Sequence, residues 1–240
     1  MHEHMTATFV VGTREIAQGY SAVEVRTSAR SALPAFGDGA LVDTMRTGSN
    51  GVVRTYPLCR SSTRSDVYVI GMRTGGGRGG ERHSIEFTLK DGDEILVGKP
   101  RITPVTLDAG ARYILLGGGI GIAAIAGVAR KLAASGIAFE LHNFARTPER
   151  AVFRAELDGV REHGRVYHHV GLSAEEIAQT VAHALAPTHA NSQVYCSGPP
   201  AFMDLIRRRA IEWVYPENVH QILLGDRARA SSPDSGQVFA

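Results

Sequence analysis

The glycine-rich residues 117–121 are the first candidate for chemistry. They read Gly-Gly-Gly-Ile-Gly between an apolar run and a helical pattern, and Gly119, Gly121 and Ala124 have the spacing of a loose dinucleotide fingerprint. Glycines let a backbone turn sharply and approach phosphates, and a helix N-terminus adds free N–H groups and a positive dipole end. The pattern suits a pyrophosphate, but a tight turn in a packed core explains it equally well.

A thiol and a hydroxyl form the second candidate, within residues 194–200, which read Val-Tyr-Cys-Ser-Gly-Pro-Pro. Proline is pre-organised for the first turn of a helix, so the run predicts a strand that ends near Cys196 and Ser197, followed by a helix. A rigid strand-to-helix turn explains the glycine and the prolines. It does not explain the thiol and hydroxyl at an edge that faces ligands, and both interpretations stay open.

Two polar stretches in the first half of the chain are weaker candidates. Arg54 and Tyr56 stand at i and i+2, so both project from one face of a strand, where they could meet a phosphate and a planar ligand. A cross-strand surface pair is the simpler explanation. Glycines at 75–80 surround Arg78 and could form an anion-binding nest, or a hairpin loop. A short helix is one interpretation of residues 79–93.

The elements that must position these residues divide the chain near residue 105. Before it, short apolar runs alternate with Gly, Pro, Ser and Asp, which predicts an antiparallel barrel or sandwich of about six strands over residues 1–105. After it, strands alternate with helices, which predicts an α/β domain with a parallel sheet of about five strands over residues 106–225. Residues 226–240 are polar and small and are expected to form a flexible tail.

The predicted strands of the second domain are 112–117, 137–143, 164–169, 192–196 and 218–224. The predicted helices are 120–135, 148–157, 173–185 and 199–213, and the third begins on a Ser-x-x-Glu capping box formed by Ser173 and Glu176.

Composition excludes several classes of protein. The chain has 26 Lys and Arg against 24 Asp and Glu and no long run of one charge, so we expect no nucleic-acid partner. Its longest apolar run is too short to cross a bilayer and the N-terminus lacks a signal-peptide pattern, so we expect no membrane partner and a cytoplasmic location. Two cysteines exclude a four-cysteine cluster within this chain. His163, His168 and His169 lack metal-ligand spacing, so we predict no metal site.

Taken in the order in which they occur along the chain, the four stretches resemble the motifs of the ferredoxin–NADP reductase superfamily. The resemblance covers about residues 8–224 and is strongest to oxygenase reductases of the phthalate dioxygenase reductase and vanillate demethylase reductase kind. It implies an N-terminal antiparallel flavin-binding β-barrel and a C-terminal nicotinamide-binding α/β domain. The residues that correspond in position to the family motifs are Arg54, Thr55, Tyr56, Pro57 and Leu58, then Arg78, Gly79 and Gly80, then Gly118, Gly119, Ile120, Gly121 and Ile122, and finally Ser197, Gly198 and Pro199.

The resemblance also implies a reaction, namely hydride transfer from NAD(P)H to flavin and then electron transfer to an iron–sulfur acceptor. Tyr56 would flank the flavin ring, and Cys196 and Ser197 would lie near the nicotinamide. The other implied contacts are Arg54, Gly79, Gly80 and Glu81 with the flavin phosphate, residues 119–122 with the pyrophosphate, and Arg146 with the adenosine ribose. The resemblance favours FMN over FAD, and NADH over NADPH.

Three of the motifs depart from the family pattern. Pro57 replaces a serine, Ser197 replaces the cysteine of Cys-Gly-Pro, and Ala123 with Ala124 replaces Thr-Pro. Relatives continue into a 2Fe–2S domain with four cysteines, so we expect the acceptor to be a separate ferredoxin or oxygenase component. The alternatives are a non-catalytic structural or regulatory subunit on a degenerate reductase fold, or a piece of a longer reductase.

Overall fold

The computed structural model describes residues 5–28, 32–47, 52–59, 66–73 and 89–226. Within these ranges, no helix has the length and apolar character needed to span a membrane. The predicted loop around Arg78, Gly79, Gly80 and Glu81 lies outside them, as do residues 79–88 of the possible short helix and residues 227–240 of the predicted tail.

The first half of the chain forms an antiparallel barrel. Pairing of β3 with β4 closes the ring, in the order β4, β5, β2, β1, β6 and β3, and β7 extends the sheet beside β3. Val23, Ile70 and Ile95 belong to the core cluster of the barrel and are almost completely buried. The prediction of an antiparallel barrel is therefore confirmed. Its strands are β1 (Thr6–Ala17), β2 (Tyr20–Arg26), β3 (Ala40–Arg46), β4 (Val53–Cys59), β5 (Tyr68–Arg73), β6 (Glu94–Val97) and β7 (Arg101–Ile102).

The second half forms a parallel sheet of five strands, as predicted. The strands are β8 (Tyr113–Gly118), β9 (Phe139–Ala145), β10 (Gly164–Val170), β11 (Gln193–Ser197) and β12 (Val219–Gln221), and the helices are α1 (Ile122–Ala134), α2 (Arg154–Asp158), α3 (Ala174–Leu185) and α4 (Pro200–Ala210). Alternate residues of β8 face opposite sides, because Leu115 packs with α1 and α2 whereas Leu116 packs with α3 and α4. Ser173 and Glu176 form the predicted capping box at α3.

The strand order β10, β9, β8, β11, β12 contains one reversal, between β8 and β11. The chain runs outward in one direction from β8 through β9 to β10, and then returns to start again at β11. In open parallel sheets, the crevice beyond the carboxyl ends of the two strands at such a reversal is the usual place for a ligand. The two strands that end in glycine-rich turns are therefore neighbours.

The predicted helix 148–157 is wrong. Residues Pro148–Arg150 form a 3-10 turn, the chain is extended at Ala151, and Phe153 has a left-handed φ of 57° before α2 begins. Val152 is only 1% exposed in the core cluster that includes α1. Burying this side chain requires a break in the helix, and the gain in packing outweighs the local helical pattern.

The predicted strand 218–224 is also too long. The parallel ladder ends where Gln221 pairs with Cys196, and the chain then crosses to the barrel, where Gly225 and Asp226 form β13 (Gly225–Asp226) against β4. Asp226 was expected to begin the tail, and it instead pairs with Arg54.

Two further bounds differ, because residues 119–121 form a 3-10 turn before α1 and α4 ends at residue 210. The division into domains at residue 105 stays a prediction.

Candidate functional site

The glycine turn lies directly between β8 and α1. The chain turns sharply at Gly119, where φ is 56°, and residues Gly119–Gly121 form one 3-10 turn. Neither this turn nor α1 has a side-chain cap or an acidic residue in its first turn. A positive φ favours glycine, and an uncapped helix start leaves backbone N–H groups available to an anion.

The end of β11 packs against this turn. A Cβ added to Gly121 would overlap the Ser197 carbonyl, and a Cβ added to Gly198 would lie 3.3 Å from Gly118 Cα. The overlap leaves room only for glycine at residue 121, and the contact at residue 198 is close packing. The structure therefore brings the predicted residues 118–122 together with Ser197, Gly198 and the exposed Pro199.

Ser197 and Cys196 do not present their polar groups to this crevice. The Ser197 hydroxyl is fully buried and donates to the Ile222 carbonyl at 2.8 Å. Cys196 is also fully buried, in the core beneath α3 and α4, and burial raises the pKa of its thiol to about 12. A direct catalytic role for either residue stays a prediction, and their burial counts against it. The neighbouring Ile222 N–H donates to the Cys196 carbonyl, so two hydrogen bonds join the end of β11 to Ile222.

The Ser197→Ala variant is expected to lower the free energy of unfolding by about 1–3 kcal/mol, because it leaves the Ile222 carbonyl buried without its partner. Binding of ADP-ribose to the folded protein should change by less than about threefold, since the hydroxyl is not directed at the crevice. Urea denaturation and calorimetric titration measure the two effects. A large loss of binding with unchanged stability would place the hydroxyl at the ligand instead.

The predicted flavin residues lie on β4, on two opposite faces. Arg54 is buried, and Tyr56 is half-buried and packs against the core cluster of the barrel, together with Leu58. Thr55 faces the other side, where its hydroxyl donates to Asp43 at 2.6 Å. The structure therefore brings Arg54 and Tyr56 together, as the spacing predicts. The low exposure of Arg54 argues against the simpler explanation of a surface pair.

One edge of β4 changes its partner strand. Across this edge, β13 pairs with Arg54 and Thr55, and β5 pairs with Leu58 and Cys59. The other edge pairs with β3 from Val53 to Pro57. The change of partner strand thus falls at Tyr56 and Pro57, two positions that the resemblance assigns to flavin.

Pro57 also faces the glycine turn. A Cβ added to Gly71 of β5 would lie 3.5 Å from Pro57 Cγ and 3.2 Å from Ile120 Cδ1. Pro57 belongs to the predicted flavin strand and Ile120 to the predicted nicotinamide turn. The predicted flavin strand and the predicted nicotinamide turn therefore come close together at Gly71.

A cleft of about 680 Å³ opens near β4, on the face that carries Thr55. Its walls are mostly apolar and include Leu41, Ile102 and the exposed Leu223, with Arg101 as its charged group. This volume is in the range of small-molecule sites. Arg54 and Tyr56 do not line the cleft, because they project from the opposite face of β4.

Arg146 stands apart from these groups. It is exposed and follows β9, whose carboxyl end lies beside that of β8. This position is compatible with the predicted contact to an adenosine ribose, and that contact stays a prediction.

Sequence reasoning missed the residues that join the two halves. A Cβ on Gly127 of α1 would overlap the backbone of Gly39, and Asp38 pairs with Arg130 at 3.4 Å beside this contact. A glycine within an apolar helical pattern signals close packing, so Gly127 could have been found. Tyr20 and Gly71 carried no such signal, because their importance arises only when the barrel and α1 are brought together.

His142 on β9 and His169 on β10 stack against each other. His142 lies 3.0 Å from His169, between Nδ1 and Nε2, and their rings are parallel. Burial, and secondarily His169, lowers the pKa of His142 to about 4. Among the described residues, no three His, Cys, Asp or Glu side chains are placed to hold a metal ion.

The low pKa of His142 predicts that stability falls in acid. The unfolded chain binds a proton near the usual pKa of 6.5 and the folded chain only near 4, so stability is lost as the pH falls through this window. At pH 5 the loss from this group is about 2 kcal/mol. The His142→Phe variant keeps the ring stack and should lose about that much less between pH 7.5 and pH 5 in urea denaturation. Equal losses in both proteins would contradict the assignment.

Known proteins share the sequence of this chain over most of its length. It is 33% identical over 211 residues to phthalate dioxygenase reductase of Burkholderia cepacia, over 85% of this chain and 63% of that protein. It is 30% identical over 222 residues to the phthalate 4,5-dioxygenase oxygenase reductase subunit of Pseudomonas putida, over 92% of this chain and 67% of that protein. No protein-family model matches the chain.

A solved structure shows the same fold. Phthalate dioxygenase reductase, described as a modular structure for electron transfer from pyridine nucleotides to 2Fe–2S, aligns with a TM-score of 0.68 at 30% identity. The alignment covers 92% of this chain and 68% of that chain. The present chain thus spans 63% and 67% of the length of the two relatives matched by sequence.

Proposed function

Since this chain belongs to the oxygenase reductases of the ferredoxin–NADP reductase superfamily, we propose that it oxidises NAD(P)H with the help of a bound flavin. Electrons then pass to a separate iron–sulfur protein or oxygenase component. The observation that carries this proposal is the meeting of Pro57 and Ile120 over Gly71. Each residue belongs to a different cofactor motif, and hydride transfer requires both ligands in one place.

The face of β4 that carries Tyr56 fits a flavin. The half-buried aromatic ring of Tyr56 can lie against a planar ligand, while Pro57 offers no backbone N–H to that ligand. Arg54, buried on the same face as Tyr56, supplies a cation for the flavin phosphate. We propose FMN rather than FAD, because this is the flavin that the resemblance to the oxygenase reductases implies. Bound flavin would supply the conversion of hydride to single electrons.

The glycine turn fits the nicotinamide dinucleotide. The backbone N–H groups at Gly119–Gly121 and the start of α1 bind the pyrophosphate, and Ile120 closes the site toward Pro57. Ser197 contributes through its backbone, because its carbonyl lies directly against Gly121. We propose residues 1–105 as the flavin domain, residues 106–225 as the nicotinamide domain and NADH as the donor.

A second candidate is a non-catalytic subunit that retains this fold. The observation that favours it is the loss of polar groups at the site, because Pro57 lacks an N–H and the Ser197 hydroxyl is already paired. Such a protein would keep its fold and bind no flavin.

The visible spectrum of the purified full chain separates the two functions, before and after addition of FMN or FAD. We expect a yellow protein, or quenching of flavin fluorescence on titration, followed by bleaching when NADH or NADPH is added without air. A colourless protein that binds neither flavin and oxidises neither nucleotide would overturn the reductase and support the structural subunit.

A further inference from the structure

Arg150 lies at the carboxyl edge of the parallel sheet, in the 3-10 turn that follows β9. β9 ends level with the glycine turn, because Phe144 pairs with Gly118. The Arg150 side chain is half-buried, and none of the ion pairs found among the described residues includes it. A half-buried guanidinium without a carboxylate partner leaves its charge available to a ligand.

The barrel holds this arginine in place. At the turn between β1 and β2, the Gln18 N–H donates to the Glu149 carbonyl at 2.8 Å. Gly19, with a φ of 78°, approaches so closely that a Cβ there would lie 3.2 Å from Arg150 Nη2. The positive φ favours glycine at this turn, and the Arg150 guanidinium packs directly against it.

Tyr20 links Arg150 to the glycine turn. The Arg150 guanidinium lies over the Tyr20 ring, 5.5 Å from its centroid, which is a cation–π arrangement. The Tyr20 hydroxyl lies against the glycine turn, because a Cβ added to Gly119 would lie 2.7 Å from the hydroxyl oxygen. One side chain of the barrel therefore contacts both the glycine turn and Arg150.

We propose that Arg150, supported on the Tyr20 ring, binds the pyrophosphate of the nicotinamide dinucleotide. This inference rests on the proposed function, because it assigns a further residue to the same dinucleotide site. Arg150 adds a cation to the backbone N–H groups of residues 119–121, and a guanidinium can donate two hydrogen bonds to one phosphate. Tyr20 is a positioning residue, because it acts through Arg150 and Gly119.

The test uses ADP-ribose, which contains the pyrophosphate but no nicotinamide, and measures its binding to the purified full chain by calorimetry. Arg150→Gln is expected to weaken binding about tenfold, because it removes hydrogen bonds to a charged group. Arg150→Lys should recover part of the loss by restoring the charge. The matched control is Arg165→Gln, because Arg165 is an exposed arginine at the opposite edge of the sheet, where it pairs with Glu140.

Several outcomes would overturn the inference. It fails if Arg150→Gln binds ADP-ribose as the parent does, if Arg165→Gln weakens binding equally, or if the parent does not bind ADP-ribose at all. It also fails if the variant loses affinity only for ADP-ribose that carries a 2′-phosphate, because the contact would then be to the ribose phosphate. Since this readout needs neither flavin nor turnover, a protein that lacks reductase activity can still confirm the Arg150 contact.

Discussion

Replacing Gly121 with alanine is expected to weaken the binding of ADP-ribose and NAD(P)H by about a hundredfold. The backbone conformation does not forbid alanine, because φ at Gly121 is −58°. The added Cβ would instead overlap the Ser197 carbonyl and lie 2.7 Å from Gly198 N, and both are backbone atoms that cannot rotate away. The turn must move away from β11, and each charge-assisted hydrogen bond lost to the phosphates costs about 1.5–3 kcal/mol.

Gly159→Ala is the matched control for this variant. Gly159 has a φ of −66°, is exposed, and offers an added Cβ an ordinary contact of 3.4 Å to the Glu156 carbonyl. Calorimetric titration with ADP-ribose should show parent-like binding for the control. If Gly121→Ala, folded by circular dichroism, binds within about threefold of the parent, the pyrophosphate does not lie on this turn.

Replacing Gly127 with alanine is expected to slow flavin reduction by NAD(P)H about a hundredfold while each ligand still binds. The added Cβ would overlap the backbone of Gly39, so α1 and the barrel must separate. Pro57 belongs to the barrel and Ile120 to the turn before α1, so these two residues would then move apart. A displacement of about 1 Å can cost a factor of a hundred in rate. We also expect a loss of about 1–3 kcal/mol in stability from overpacking.

Three measurements on Gly127→Ala separate geometry from folding: the affinity for flavin, the affinity for ADP-ribose and the rate of flavin reduction without air. We expect the affinities to stay within about threefold of the parent and only the rate to fall. Ala134→Gly is the control for helix propensity, because Ala134 is an exposed residue of the same helix. An unchanged rate in the folded Gly127→Ala variant would show that the contact between α1 and Gly39 does not set the distance between the ligands.

Local patterns were sufficient to predict the barrel, the parallel sheet and the capping box of α3. Alternation, helical periodicity and capping residues act over short distances, so they can be read from the sequence. The interruption of the predicted helix at Phe153 could not be predicted from local patterns, because it depends on the burial of Val152 in the core beside α1. The crossing of residues 225–226 to β4 depends likewise on a partner strand far away in the sequence.

Local sequence patterns also predict only part of the candidate site. The spacing of Gly119 and Gly121 is compatible with phosphate binding, and that of Arg54 and Tyr56 with a shared strand face. It could not show that the Ser197 hydroxyl is paired with Ile222, because that partner comes from the segment after β12. Nor could it find Tyr20, which gains its role from contact between the barrel and the glycine turn.

The most direct test of the central claim is the rate at which NADH reduces the flavin-loaded full chain, measured by rapid mixing without air over a range of NADH concentrations. With NADH and flavin bound in one site beside Pro57 and Ile120, the rate should rise with concentration and saturate. A rate that increases linearly without limit and matches that of free flavin would contradict this claim.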